Sequence, residues 1–170
     1  MDICEMSIDN GSSLRDDYEA CIPHNNDVIM ASSEFTDKEL SSNQKKEHHI
    51  VYAGNIGVGR HESIIEFAKA VSEIDNSLYI DIYTQISDKN IKSQLENSPG
   101  IRLHKFVAYE KLQKIILNSE YLLHIENFSE FYRDDLKYAF STKIADSLAS
   151  GNCLIIYAPK EMAICRYLID

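Results

Sequence analysis

A glycine-rich turn, Gly54-Asn55-Ile56-Gly57-Val58-Gly59-Arg60, follows the apolar run Ile50-Val51-Tyr52-Ala53 and opens an amphipathic stretch. Glycines there let the backbone come close to a ligand. The amino end of the following helix offers unpaired N–H groups and the positive end of a dipole. Arg60 adds a guanidinium that can grip phosphate bidentately. The spacing is G-x-x-G-x-G rather than the dinucleotide G-x-G-x-x-G, which weighs against a nicotinamide or flavin cofactor. Without a ligand the same residues form an ordinary turn with an exposed arginine. Gly57, Gly59 and Arg60 are the first candidates for holding a diphosphate.

Ser141-Thr142-Lys143 begins a second helical pattern. A hydroxyl residue at such a place ordinarily caps the helix. In a binding site the same hydroxyls and N–H groups would accept a diphosphate. Asp146 lies four residues after Thr142, on the same helical face, where an acid can take a ribose hydroxyl pair or simply interact with the helix amino end. Ile144 and Leu148 are expected to point the other way, into the sheet. Lys143 is the next cation in reach, although a lysine at a helix start is ordinarily solvated. Val107 follows a strand where backbone groups can pair with a base edge, though an apolar residue there usually belongs to the core. Glu126 and Glu130 sit in a loop opposite a possible sugar, but loop acids are usually solvated. The six histidines form no metal constellation; His104 and His124 fall in strands, at their ends or beside polar neighbours.

These residues need a scaffold, and the hydrophobic pattern supplies one. Strands are expected at 50–53, 78–83, 101–106, 121–125 and 153–157, with helices at 61–75, 88–97, 108–118 and 142–150 between them. Gly151 suits the end of the last helix and Pro159 stops the last strand. Strands alternating with helices give a parallel sheet covered on both faces, with right-handed crossovers: an α/β, Rossmann-like, doubly wound unit. Ligands on such sheets sit beyond the carboxyl ends of the strands. A unit of this kind commonly carries one more strand and helix, so the chain looks truncated at its end. Residues 31–47 (ASSEFTDKELSSNQKKE) are polar and serine-rich, as in a linker. The expected division is therefore 1–47, the end of a preceding domain plus linker, and 48–170, a Rossmann-like ligand-binding domain. Within the first part, Tyr18–Asp27 reads as a short strand ending in a Pro/Asn turn.

Composition narrows the partners. The 170 residues carry a formal net charge of −10, with 44% hydrophobic and 26% charged residues. Such a charge disfavours nucleic acid and anionic membrane surfaces, yet leaves room for a local cationic pocket. Cys4, Cys21, Cys153 and Cys165 show no metal or disulfide spacing and read as buried free thiols of a reducing compartment. The first residues lack the regions of a signal peptide, and no apolar run reaches the ~20 residues that span a bilayer. A cytoplasmic location is expected.

Two stretches, Ile50–Gly57 and Phe140–Ile155, resemble the carboxyl-terminal donor domain of two-Rossmann-domain (GT-B) glycosyltransferases of the family-4-like group. The first is similar to that domain's opening strand and glycine loop. The second, FSTKIADSLASGNCLI, is similar to the more specific "S-K-x-x-E-Y-L-A-x-G-x-P-V" helix and strand. Phe106–Leu112 resembles the segment that receives the base, and 18–28 is more weakly similar to the approach to the interdomain linker, "I-P-N-x-x-D". The resemblance covers about residues 48–165. It implies retaining transfer from a UDP- or GDP-sugar in polysaccharide or glycoconjugate synthesis, with no metal or other cofactor. It also implies an amino-terminal acceptor domain as partner, any membrane contact being peripheral and confined to the full-length enzyme. Carried across by position, Gly57, Gly59, Arg60, Ser141, Thr142 and Lys143 would hold the diphosphate and sugar, and Val107 and Asp146 the nucleoside. The family's two glutamates eight positions apart are here Tyr138 and Asp146, so the first acid is lost. Its basic pair in the first loop is Arg60 alone, unless Lys143 substitutes. The alternatives are another nucleotide-binding Rossmann enzyme, a dehydrogenase or sugar-nucleotide epimerase, and a non-catalytic binding module. The former would need an acid closing the second strand, whereas Asp81 lies inside it.

Overall fold

A computed structural model describes residues 6–9, 25–28, 33, 35, 46–137 and 141–169. Its main sheet has five strands: β3 (His48–Ala53), β4 (Ile80–Thr84), β5 (Ile101–Lys105), β6 (Ser119–Ile125) and β7 (Cys153–Tyr157). They run in the order β5-β4-β3-β6-β7, and every neighbouring pair is parallel. Helices α1 (Arg60–Ile74), α2 (Lys89–Glu96) and α3 (Tyr109–Leu117) connect the first four strands, and α5 (Lys143–Ala149) precedes the fifth. This is the doubly wound α/β arrangement that the alternating pattern requires. The chain leaves β3 toward β4 on one side and later returns to place β6 on the other. The loops after β3 and β6 therefore diverge, and a crevice opens between them.

The core explains why these segments form these elements. Ile64 and Ala68 are fully buried on one face of α1, against Ile80 and Ile82 of β4 and Leu95 of α2. Each enclosed isoleucine contributes about 2 kcal/mol of apolar burial. On the other face, Ile115 and Ile116 of α3 cover Val51 and Leu122. Asp88 caps α2 by accepting from the Asn90 and Ile91 N–H groups.

Four expectations change. The loop after β6 is not structureless: it holds a 3-10 turn (Glu130–Tyr132) and a short helix α4 (Arg133–Leu136). Leu148 does not enter the sheet, being 47% exposed, and Asp146 takes the buried place beside Ile144. Cys153 is exposed, while Cys165, in α6 (Ala163–Ile169), is a buried free thiol. Burial, with Glu161 and Glu126 nearby, raises the Cys165 pKa, as suits an inert thiol. Finally, the residues expected to turn are extended: β2 (Asn25–Val28) pairs in parallel with β1 (Met6–Asp9) as a two-stranded sheet. Asn and Asp are poor strand formers, so pairing overrides propensity there. Residues 18–24, Cys4, Cys21 and Tyr138 lie outside the described residues.

Candidate functional site

The glycine turn is built around its own hydrogen bonds. The buried Tyr52 hydroxyl donates to the Asn55 carbonyl at 2.7 Å, and burial drives its pKa upward. Asn55 Oδ1 accepts the Gly57 N–H at 2.7 Å, so this amide is already spent. Val58 (φ 56°) and Gly59 (φ 70°) are consecutive left-handed residues that swing the chain into α1. Asn127 Nδ2, arriving from the β6 loop, donates to the Gly59 carbonyl at 2.6 Å. The glycine at 59 thus serves backbone geometry and close packing against Asn127.

Arg60 has a partner that loop composition hides. Its Nε donates to Glu126 Oε2 at 2.7 Å and Nη2 to Oε1 at 3.1 Å, a bidentate pair spanning the crevice. Glu126 is 2% exposed, not solvated. Burial alone would raise its pKa, but His124, whose Nε2 lies 3.4 Å away, and the hydrogen bonds and charge of Arg60 hold it below the ordinary carboxylate value. Glu130 does remain exposed, 3.6 Å from Arg133.

Two cavities adjoin beyond the strand ends. One, about 370 Å3, includes Arg60, Glu126, Ser141, Lys143 and Ser147 in its lining. The other, about 500 Å3, includes Thr84, Gln85, Phe106, Val107 and Leu112. Ala53, Gly54, Asn55 and Lys143 line both, so together they form one cleft of the size small-molecule sites take. Lys143 stays exposed as a residue, as a lysine at a helix start ordinarily does. Partial desolvation of its amine and the neighbouring Arg60 charge nevertheless lower its pKa, so an anion in the cleft would relieve the repulsion between the two cations. The Thr84 hydroxyl is buried with no hydrogen-bond partner among the described residues.

Of the residues expected to bind, Arg60, Ser141, Lys143 and Val107 line this cleft. Gly57, Gly59, Thr142 and Asp146 do not line either cavity. Thr142 is exposed and its side chain caps nothing; α5 has seven residues, so its side chains matter more than its end. Asp146 is 8% exposed, and its carboxylate is occupied: the Tyr109 hydroxyl donates to both oxygens (2.9 and 3.1 Å) and Ser33 Oγ to Oδ1 (2.8 Å). Asn55, Thr84 and Ser147 escaped the sequence reading. Ser147 had a signal, since it lies one turn after Lys143 on the same face. Removing either hydroxyl from Asp146, as Tyr109→Phe or Ser33→Ala, is expected to cost about 1–3 kcal/mol in urea unfolding, because a buried carboxylate loses a donor. Unchanged stability in both variants would show that these contacts do not form in solution.

Among the described residues no group of three or more His, Cys, Asp or Glu is arranged to hold a metal, and no helix is long and apolar enough to cross a membrane.

No protein-family model matches the sequence, and no curated protein resembles it significantly. Solved structures do. The chain superposes on the GtfA/B complex with a TM-score of 0.60 at 16% identity, covering 89% of this chain and 30% of that one. It matches the pneumococcal O-GlcNAc transferase GtfA, in complex with UDP and GlcNAc, with a TM-score of 0.55 at 19% identity, covering 91% and 30%. It also matches S. aureus TarM, a point mutant in complex with Fondaparinux, alpha-GlcNAc-glycerol and UDP, with a TM-score of 0.62 at 15% identity, covering 91% and 31%. The chain thus spans less than a third of the length of these structures. Its Rossmann-like fold is the fold of one half of a GT-B glycosyltransferase.

Proposed function

We propose that the chain is the donor-binding part of a glycosyltransferase, taking a UDP- or GDP-linked sugar for retaining transfer without a metal. The observation that carries this reading is the convergence of Arg60 and Lys143 on one cleft at the switch point of a parallel sheet. Breaking a glycosyl–phosphate bond builds negative charge on the leaving diphosphate. Cations fixed beforehand stabilise that charge more in the transition state than in the ground state, which is what accelerates the step. Lys143, free of a carboxylate partner among the described residues, takes the diphosphate, with the Ser141 and Ser147 hydroxyls beside it. Arg60, fixed by Glu126, supplies field and its remaining donors. The second cavity takes the nucleoside, where Val107 lies with the Thr84 hydroxyl, unpartnered among the described residues. The acceptor is held by an amino-terminal domain, and the product is a polysaccharide or glycoconjugate. The isolated 170-residue chain is expected to bind nucleotide weakly and transfer no sugar.

Titrating UDP, GDP and NAD by calorimetry tests this. UDP or GDP should bind, and Lys143→Ala should weaken binding about tenfold, as for a lost charge-assisted hydrogen bond. Affinity should fall as pH rises through the lowered Lys143 range, because the neutral amine no longer attracts diphosphate. NAD binding without UDP or GDP binding would overturn the reading in favour of a dehydrogenase. A second reading, a non-catalytic module, draws support from the occupied state of Arg60 and Asp146; absence of all nucleotide binding would favour it.

A further inference from the structure

A second cavity system lies away from the Arg60–Lys143 crevice, between the β4–β5 edge of the sheet and α3. It holds about 500 Å3, and its lining includes His48, His104, Lys105, Lys111, Lys114 and Glu47. Asp81, which does not itself line the cavity, is 2% exposed and accepts from both imidazoles, from His48 Nδ1 at 2.7 Å and His104 Nε2 at 2.6 Å. An ionised carboxylate only accepts, so both contacts place a proton on those nitrogens and orient the rings. His104 also stacks on Tyr83, with ring centres 4.5 Å apart and planes 10° from parallel. Two imidazoles are therefore held in fixed poses at the wall of a cleft. Lys105, Lys111 and Lys114 have no carboxylate partner among the described residues.

The charge balance is unusual for this molecule. Three lysines and a single acid, Glu47, line the groove, in a chain whose formal net charge is −10. Converging cations raise the local concentration of anions in a cleft. Lysines supply flexible point charges, while the N–H that each imidazole directs at Asp81 is spent on that carboxylate.

We infer that this groove is a binding site for a multivalent phosphate- or sulfate-type anion, distinct from the Arg60–Lys143 crevice and carried by its lysines. Its ligand is larger than one phosphate, given the volume and the spread of cations over β5, α3 and the start of β3. Tyr83 and Val107 line both this groove and the nucleoside cavity, so an anion here borders the donor site.

The probe is inorganic pyrophosphate, titrated by calorimetry into the whole chain with the nucleotide cleft saturated by UDP. Pyrophosphate should still bind, since the groove's lysines do not contact the nucleotide cleft. The Lys111→Gln/Lys114→Gln double variant changes exposed side chains only and should weaken that binding by about tenfold, given a few-fold for each exposed ion contact. UDP binding should stay unchanged in that variant. Loss of all pyrophosphate binding on UDP saturation, or full retention in the lysine double variant, would overturn the groove. Absence of UDP binding alongside lysine-dependent pyrophosphate binding would sink the donor reading and leave the groove standing.

Discussion

Replacing Glu126 with alanine is expected to lower the unfolding free energy by about 3–5 kcal/mol, because a buried ion pair broken from one side leaves the other charge uncompensated. Side-chain exposures of 3% for Glu126 and 16% for Arg60 make this a largely enclosed ion pair. Arg60→Ala should destabilise by a similar amount, and the double variant by less than the sum of the two, since the coupled charges then leave together. Urea unfolding of the four proteins of this cycle gives the coupling directly. The pH dependence follows from the sign of the shift. Glu126 is held below its ordinary pKa, so its contribution is present above about 4.5 and is lost as pH falls through the lower folded value. In Glu126→Gln that acid limb should shrink. Less than about 1 kcal/mol of destabilisation in either single variant would place the pair among weak surface contacts. Arg60 variants consequently confound binding with folding, and Lys143→Ala is the cleaner probe of the anion site.

Gly59→Ala should cost about 2–5 kcal/mol. A left-handed conformation costs an L-residue roughly 1–2 kcal/mol, and overpacking adds about 1–3. Both apply, since φ is +70° and an added Cβ would stand 2.3 Å from Asn127 Nδ2 and 2.7 Å from Tyr132. Gly151 separates the two causes within the same chain. Its φ is +71°, yet nothing lies within 4 Å of an added Cβ, so Gly151→Ala should show the roughly 1–2 kcal/mol backbone cost alone. Gly57→Ala meets only the Asn55 side chain, at 3.1 Å, with no positive φ. It should be the mildest of the three. Equal losses at 59 and 151 in thermal or urea unfolding would contradict the close packing of the glycine turn on Asn127.

The fold was legible because its causes are local and repetitive. Ile64 and Ala68 recur at helical spacing, and the runs at 50–53, 80–84 and 153–157 are apolar enough for buried parallel strands. The site was legible only in part, because its polar groups are satisfied across long sequence separations. Glu126 looks like a solvated loop acid until Arg60, 66 residues away, is seen to hold it. Asp146 looks like a ligand-facing acid on its helix, but Tyr109 and Ser33 satisfy it from 37 and 113 residues away and draw it inward. Pattern reading sends acids outward and leucines inward; a satisfied carboxylate costs little to bury, so Leu148 was displaced to the surface. Gly57 and Gly59 were expected to approach a ligand, yet neither lines the cleft, and the hydrogen bonds they make involve side chains, Asn55 and Asn127, that no spacing rule names.

The most direct measurement is a UDP titration of the isotopically labelled chain, followed residue by residue through backbone amide shifts. The donor-site reading expects the largest perturbations at Gly54, Asn55, Lys143 and Ser147, with Val107 moving as the nucleoside seats, and their loss in Lys143→Ala. No perturbation at saturating UDP, or perturbations confined to residues outside the Arg60–Lys143 cleft, would contradict it.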